Sequence, residues 1–226
     1  MKKYTLLLLV LLLAWNARAQ QPEKNILGVR TGLNVAWMTV SDGSASESSA
    51  GRTGFHISVS DQIRLFSRLP LYLETGVNFS SRGGKIQIEE YGSGADPVYE
   101  DVSLRPMYLQ VPLLVNYHFN IRDKFTIQPF LGVYYGVGIG GKIKSGKDKI
   151  DMFGDYSSFM RSDFGVRMGV GFVWRRIYFG LNGDLGCLNI LKKGALMVDG
   201  GFQDTVDDTR VRLTNDSFSI SIGYNF

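Results

Sequence analysis

Ser217-Phe218-Ser219-Ile220-Ser221-Ile222-Gly223-Tyr224-Asn225-Phe226 closes the chain with strict alternation of apolar with small or polar residues. Successive side chains of a strand point to opposite faces, so Phe218, Ile220, Ile222, Tyr224 and Phe226 share one side and the serines, Gly223 and Asn225 the other. An apolar face backed by a narrow polar one suits a strand of a closed transmembrane sheet, with lipid outside and a polar lumen within. The last two aromatics, Tyr224 and Phe226, read as a C-terminal insertion signal.

Working back from that strand, the same period of two recurs in seven earlier stretches: Ile26 to Met38, Thr53 to Phe66, Leu71 to Ser80, Met107 to Phe119, Phe125 to Gly140, Ser162 to Trp174, and Ile177 to about Leu188. In the first, Leu27, Val29, Leu33, Val35 and Trp37 oppose Gly28, Arg30, Gly32, Asn34 and Ala36. With the final strand from about Arg212, the pattern predicts an all-β fold, an eight-stranded antiparallel up-and-down transmembrane β-barrel. Glycines crowd the inward face of the fifth and sixth stretches, as a narrow barrel requires. Asp61 is the misfit: its parity faces lipid, so a bulge or a position near the interface is expected there.

Connection lengths repeat the message. Links near Ser67 to Pro70, Asn120 to Lys124 and Arg175-Arg176 are short, whereas Thr39 to Arg52, Ser81 to Pro106, Gly141 to Arg161 and Asn189 to Val211 are long. Short periplasmic turns alternating with long outer loops put both termini on the periplasmic side. Aromatics gather at both strand ends, with Phe119, Phe125, Trp174, Tyr224 and Phe226 at the periplasmic interface and Trp37, Phe55, Phe79, Phe164 and Phe218 at the outer one.

At the other terminus, Lys2 and Lys3 precede the apolar run Leu6 to Ala14, and Ala17-Arg18-Ala19 has the small-x-small form of a cleavage site. Residues 1–19 are therefore expected to be a cleaved signal peptide, and 20–226 an outer-membrane β-barrel domain. The apolar run is too short for a helical bilayer span, which needs about 20 residues. Without Lys2, Lys3 and Arg18 the 25 basic residues fall to 22 against 21 acidic ones, so the pI of about 9.1 partly reflects the leader. That balance gives no ground for a nucleic-acid partner. A single cysteine, Cys187, allows no intrachain disulfide, and two histidines with one cysteine give no metal or cofactor site.

Three segments carry a family resemblance: Tyr108-Leu109-Gln110-Val111-Pro112-Leu113-Leu114-Val115-Asn116-Tyr117, then Gln128-Pro129-Phe130-Leu131-Gly132, then Asp163-Phe164-Gly165 with a glycine-rich strand behind it. Together they resemble the PorT-type outer-membrane β-barrel proteins, over essentially the whole mature chain. The resemblance implies an eight-stranded barrel of OmpA/OmpX shape in the cell outer membrane, inserted by the barrel-assembly machinery. Some relatives are tied to protein secretion and gliding. No catalytic motif accompanies it.

Gly136 to Lys142 has the G-x-x-x-x-G-K spacing of a phosphate loop, but Ile143 stands where Ser or Thr should hold magnesium, and no helix pattern follows. Lys142, Lys144, Lys147 and Lys149 cluster at the outer end of the fifth stretch, a solvated face or a contact for lipopolysaccharide phosphates. Asp148, Asp151 and Asp155 weigh against the second. Asp204, Asp207 and Asp208 match no calcium loop.

Hairpin register yields the most specific expectation. If Arg175-Arg176 is a tight turn, Arg167 lies opposite Asp184, both inward. Counting around Ser67 to Pro70, with even positions inward, brings Arg64 opposite Glu74, with Arg30 on the neighbouring strand. Two lumenal ion pairs, Arg167–Asp184 and Arg64–Glu74, would plug the barrel. The leading function class is a non-enzymatic outer-membrane protein that contacts a partner through its outer loops or periplasmic rim. A small pore and an outer-membrane enzyme acting on lipid or peptide are the alternatives.

Overall fold

The computed structural model describes residues 25–41, 46–90, 98–122, 124–145, 148–154, 158–192 and 212–226. The expected signal peptide, Lys147, Asp155, Asp204, Asp207 and Asp208 lie outside the described residues.

Strand is the dominant element because the alternating stretches cannot bury a helical stripe but can divide two solvents. Twelve strands are formed among the described residues: β1 (Asn25–Ser41), β2 (Ser46–Ser48), β3 (Ala50–Arg64), β4 (Leu71–Ser81), β5 (Gly84–Glu90), β6 (Val98–Tyr117), β7 (Phe119–Arg122), β8 (Phe125–Ser145), β9 (Asp148–Asp151), β10 (Ser162–Trp174), β11 (Ile177–Gly186) and β12 (Arg212–Asn225). Eight of them pair antiparallel in the cyclic order β1-β12-β11-β10-β8-β6-β4-β3, and β3 pairs back onto β1 to close the ring. Closure leaves no unpaired edge at membrane depth.

The four short strands extend that ring. β7 carries on past Tyr117 against β8, while β2 pairs with β1, β5 with β6, and β9 with β8. Three connections expected to be long outer loops are thus partly strand. Beyond the bilayer, nothing enforces an apolar face, so alternation fades from the sequence while backbone pairing continues.

The distribution of side chains is inverted relative to a water-soluble protein. Leu33 (63% exposed), Val59, Val111, Leu131, Phe179 and Ile220 stand on the outside, whereas Arg82 (1% exposed), Asp184, Glu74, Gln110 and Asn116 are buried within. A soluble monomer rarely shows so large a contiguous apolar surface, and here it forms the belt that meets lipid. Ring contacts between Tyr224 and Phe226 (5.2 Å) and between Phe55 and Phe79 (5.7 Å) lie at its two borders.

Asp61 meets the second of its two expected alternatives, and an unforeseen bulge redirects the outer face elsewhere. β3 runs through Asp61 in unbroken register with Leu27 and Thr75, so no bulge forms there. Asp61 instead lies three positions from Arg64, the periplasmic end of the strand, where charge on the lipid side costs least. The bulge occurs in β8. Tyr108 faces Gly138 but Met107 faces Gly140, which leaves Ile139 as the extra residue. An extra residue inverts face assignment beyond it. Gly141 then turns inward against Met152 and Ile143 packs on the inner apolar cluster, so Lys142 and Lys144 point to the outside.

Candidate functional site

The lumen is filled in three layers. Glycines of β10 make room for the first two, because a methyl group on Gly165 would lie 2.7 Å from the Tyr134 hydroxyl, on Gly169 2.6 Å from the Phe130 ring, and on Gly171 2.5 Å from the Tyr178 ring. Large rings from β8 and β11 thus fill what the glycines vacate.

In the periplasmic half, Glu74 is the centre. It accepts two hydrogen bonds from Arg30, one of them at 3.1 Å, one from Gln62 Nε2 at 2.7 Å and one from Asn116 Nδ2 at 2.6 Å. Arg30 in turn lies 4.0 Å over the Tyr178 ring. Both carboxylate oxygens accept hydrogen bonds, one on Oε1 and three on Oε2, and a buried anion needs such partners. Arg64 takes no part, contrary to the expected Arg64–Glu74 pair. β3 and β4 meet with Gln62 opposite Glu74 and Arg64 opposite Tyr72, two residues from the expected register. The turn spans residues 65–70, and Arg64 folds over it, donating from Nε to the Phe66 carbonyl at 3.0 Å and from Nη2 to that of Ser67 at 3.2 Å. Pro70, which lacks an N–H, keeps the strand from starting before Leu71. Arg30, placed on the neighbouring strand by sequence, is the actual partner.

The outer half is centred on Asp184. Arg167 meets it side-on, with Nε to Oδ1 and Nη2 to Oδ2 both 2.7 Å, and Arg82 donates to Oδ2 from the other side. The Arg167 contact follows from β10 and β11 pairing with Trp174 opposite Ile177 and Arg167 opposite Asp184. Gln110 Oε1 accepts from Asn78 (2.8 Å), Arg167 (3.0 Å) and Arg82 (3.3 Å), while Tyr134 bridges Arg82 to Asp163. Two arginines thus face two aspartates here, as Arg30 faces Glu74 below. Sequence reasoning misses Arg82, which falls in a stretch that reads as loop, although the inward even parity from Tyr72 to Ser80 continues to it.

Between the networks lies a cavity of about 40 Å³ lined by Arg30, His56, Glu74, Arg82, Arg167 and Tyr178. That volume holds about three waters. His56 Nε2 lies 3.0 Å from Ser221 Oγ, but among the described residues its Nδ1 has no hydrogen-bond partner.

The third layer closes the outer mouth. Met38, Leu104, Tyr108, Met152, Phe153, Ile190, Leu191 and Leu213 form an apolar cluster there. Phe153 crosses Tyr108 edge-on at 6.1 Å, and Arg161 donates to the carbonyls of Phe153 (2.7 Å) and Gly138 (3.0 Å).

The remaining candidate residues are on the outside. Lys142 and Lys149 are exposed and Lys144 is half-buried, at the outer ends of β8 and β9. Lys144 lies opposite Lys149, and Lys142 opposite both Arg105 and Asp151. Arg105 and Lys149 hold the Lys144 ammonium below the usual lysine range. Tyr224 pairs with Val29 and Ile177, and the Phe226 amide donates to the Leu27 carbonyl at 2.8 Å, which ties the chain end into the closing seam.

No curated protein matches the chain. Among solved structures it is similar to a major outer membrane protein from Thermus thermophilus (15% identity, 90% of this chain and 100% of that chain, TM-score 0.49). It is also similar to Ail, the attachment invasion locus protein of Yersinia pestis (12%, 90% and 100%, 0.44), and to OprG from Pseudomonas aeruginosa (15%, 92% and 99%, 0.42). A family model described as outer membrane protein beta-barrel domain matches residues 18–189, most of the chain. An inverted, closed sheet with an apolar belt and that match lead to one statement: the chain belongs to the outer membrane protein β-barrel domain family and resides in the cell outer membrane.

Proposed function

We propose that the protein is a non-enzymatic outer-membrane component that acts by contact with a partner, through its outer strand extensions or periplasmic rim, and not by passing solute through its lumen. One observation carries this reading. Three buried arginines, three buried carboxylates and the rings packed around them occupy the lumen from Arg30 to Arg82, and an apolar cluster covers the mouth. Side chains largely fill an eight-stranded interior in any case. An enzyme of the serine–histidine type would need an open approach for substrate, whereas His56 and the Ser221 hydroxyl beside it are buried in the lumen. The likeness of 108–117, 128–132 and 163–165 to PorT-type proteins extends the proposal to a role linked with protein secretion.

Cross-linking intact outer membranes and purifying the protein is expected to recover a defined partner above a control barrel, and reconstitution in planar bilayers to give no unitary conductance. Steady conductance with no partner would overturn the reading in favour of a small pore.

Insertion by the barrel-assembly machinery is proposed to rest on Tyr224 and Phe226. Deleting Phe226 removes the terminal aromatic and the seam hydrogen bond to Leu27. The variant is expected to lose the shift in gel migration on boiling that marks a folded barrel, and normal assembly would dismiss the signal.

A further inference from the structure

The bulge at Ile139 changes what the outer lysines face. Below it, the outward residues of β8 meet lipid. Above it, the outward face continues on the same wall but carries Lys142 and Lys144. Register extends this panel sideways: Lys85 of β5 lies opposite Ser103 of β6, Ser103 opposite Lys144, and Lys144 opposite Lys149 of β9. One step closer to the membrane, Arg105 lies opposite Lys142 and then Asp151. Arg105 donates from Nε to Ser103 Oγ at 3.2 Å, so these two side chains share the panel's face. Like charges directly opposite one another on a sheet repel. Lys85, Arg105, Lys142, Lys144 and Lys149 therefore stand together with Asp151 on the wall just above the outer lipid belt.

We infer that the panel of Lys85, Arg105, Lys142, Lys144 and Lys149 binds the phosphate groups of an anionic glycolipid in the outer leaflet, the lipid molecule standing beside the barrel. Position selects this occupant over a soluble anion. The side chains point laterally, at the level where headgroups begin, and the panel is continuous with the apolar wall that acyl chains cover. A soluble polyanion would be met more readily by groups pointing away from the membrane. Arg105 is suited to a forked contact with phosphate oxygens, and the lysines act as mobile point charges around it. The lowered proton affinity of Lys144, set first by Arg105 and then by Lys149, agrees with cations gathered without enough counter-charge. The inference rests on the outer-membrane placement alone, so its failure would leave the copurification and conductance results where they stand.

The test uses the full-length protein in vesicles containing lipid A with its phosphates or enzymatically dephosphorylated lipid A, followed by detergent extraction and mass measurement of retained lipid. Wild type is expected to retain the phosphorylated form preferentially, with retention falling as salt is raised. Arg105→Glu with Lys144→Glu should reduce retention about tenfold or more while gel migration before and after boiling stays normal; Lys144→Arg should retain it. Equal retention of dephosphorylated lipid, or no loss in the folded double variant, would overturn the inference. So would displacement of the lipid by millimolar inorganic phosphate or a sulfated polysaccharide, which would assign the panel to soluble anions.

Discussion

Replacing Asp184 by asparagine is expected to destabilise the barrel by about 3–5 kcal/mol, the usual cost of removing one partner from a buried ion network. Asp184 is the common acceptor for Arg82 and Arg167, and both guanidiniums are buried. Loss of its charge leaves two cations with Asp163 as the only acid within salt-bridge reach of either among the described residues, and Arg82 Nη1 is 3.8 Å from that carboxylate. The measurement is the unfolding midpoint in bilayers or detergent, read by loss of the compact gel form. The companion variant replaces Arg82, Arg167, Asp163 and Asp184 together by methionine and leucine, since Asp163 would otherwise stay buried without Arg82. Because no charge is then buried at that centre, it should recover most of the loss. A quadruple variant less stable than Asp184→Asn would mean that the network contributes net stability.

Such networks are only half legible in the sequence, and the reason is turn length. The two residues Arg175 and Arg176 leave one way to pair β10 with β11, so counting back from Trp174 and Ile177 arrives at Arg167 and Asp184. Arg175 takes a positive φ of 59° in that turn, and it stacks 5.5 Å over the Trp174 ring. The β3–β4 turn is six residues long, and Leu65 and Phe66 look like strand because they are apolar. Counting them as strand pairs Phe66 with Leu71, and keeping even positions inward then moves the register to two residues from the observed one, which preserves the inward face but assigns Glu74 the wrong arginine. Face assignment survives such an error. Pair assignment does not.

Beyond the bilayer, the pattern that makes the strands readable is absent. Lipid imposes alternation on β8 as far as Ile139, whereas the β8–β9 and β5–β6 hairpins need only paired backbone. The lysines are visible as a cluster, but the side they face is not, since one extra residue at Ile139 inverts it. Arg82 is hidden for a related reason, standing one step of parity past the last residue that reads as strand. The inner surface of the mouth is unreadable as well. Met152, Phe153, Ile190 and Leu191 come from connections, where apolar residues carry no period.

Removing the Phe153 ring is expected to undock that mouth while leaving the ring of eight strands folded. Phe153 is 7% exposed, lies against Gly138 and Tyr108, and is held at its carbonyl by Arg161. Truncating a buried phenylalanine costs about 3–5 kcal/mol. A locally packed cap can open by itself, so the cost should appear there and not in global unfolding. At about 3 kcal/mol the open population rises by roughly two orders of magnitude, and trypsin cleavage after Arg161 should rise with it. Gly138→Val attacks the same contact from the other side, because its Cβ would lie 2.5 Å from the Phe153 ring. Combined with Phe153→Ala, the valine occupies space the ring has left, so the two effects should fall well short of adding. Strict additivity would show that Gly138 and Phe153 do not meet. Conductance separates the cap from the lumen. With the Glu74 and Asp184 networks intact beneath it, an undocked mouth should still pass no current, and a conducting Phe153→Ala barrel would identify the apolar cluster as the seal and return the protein to the pores.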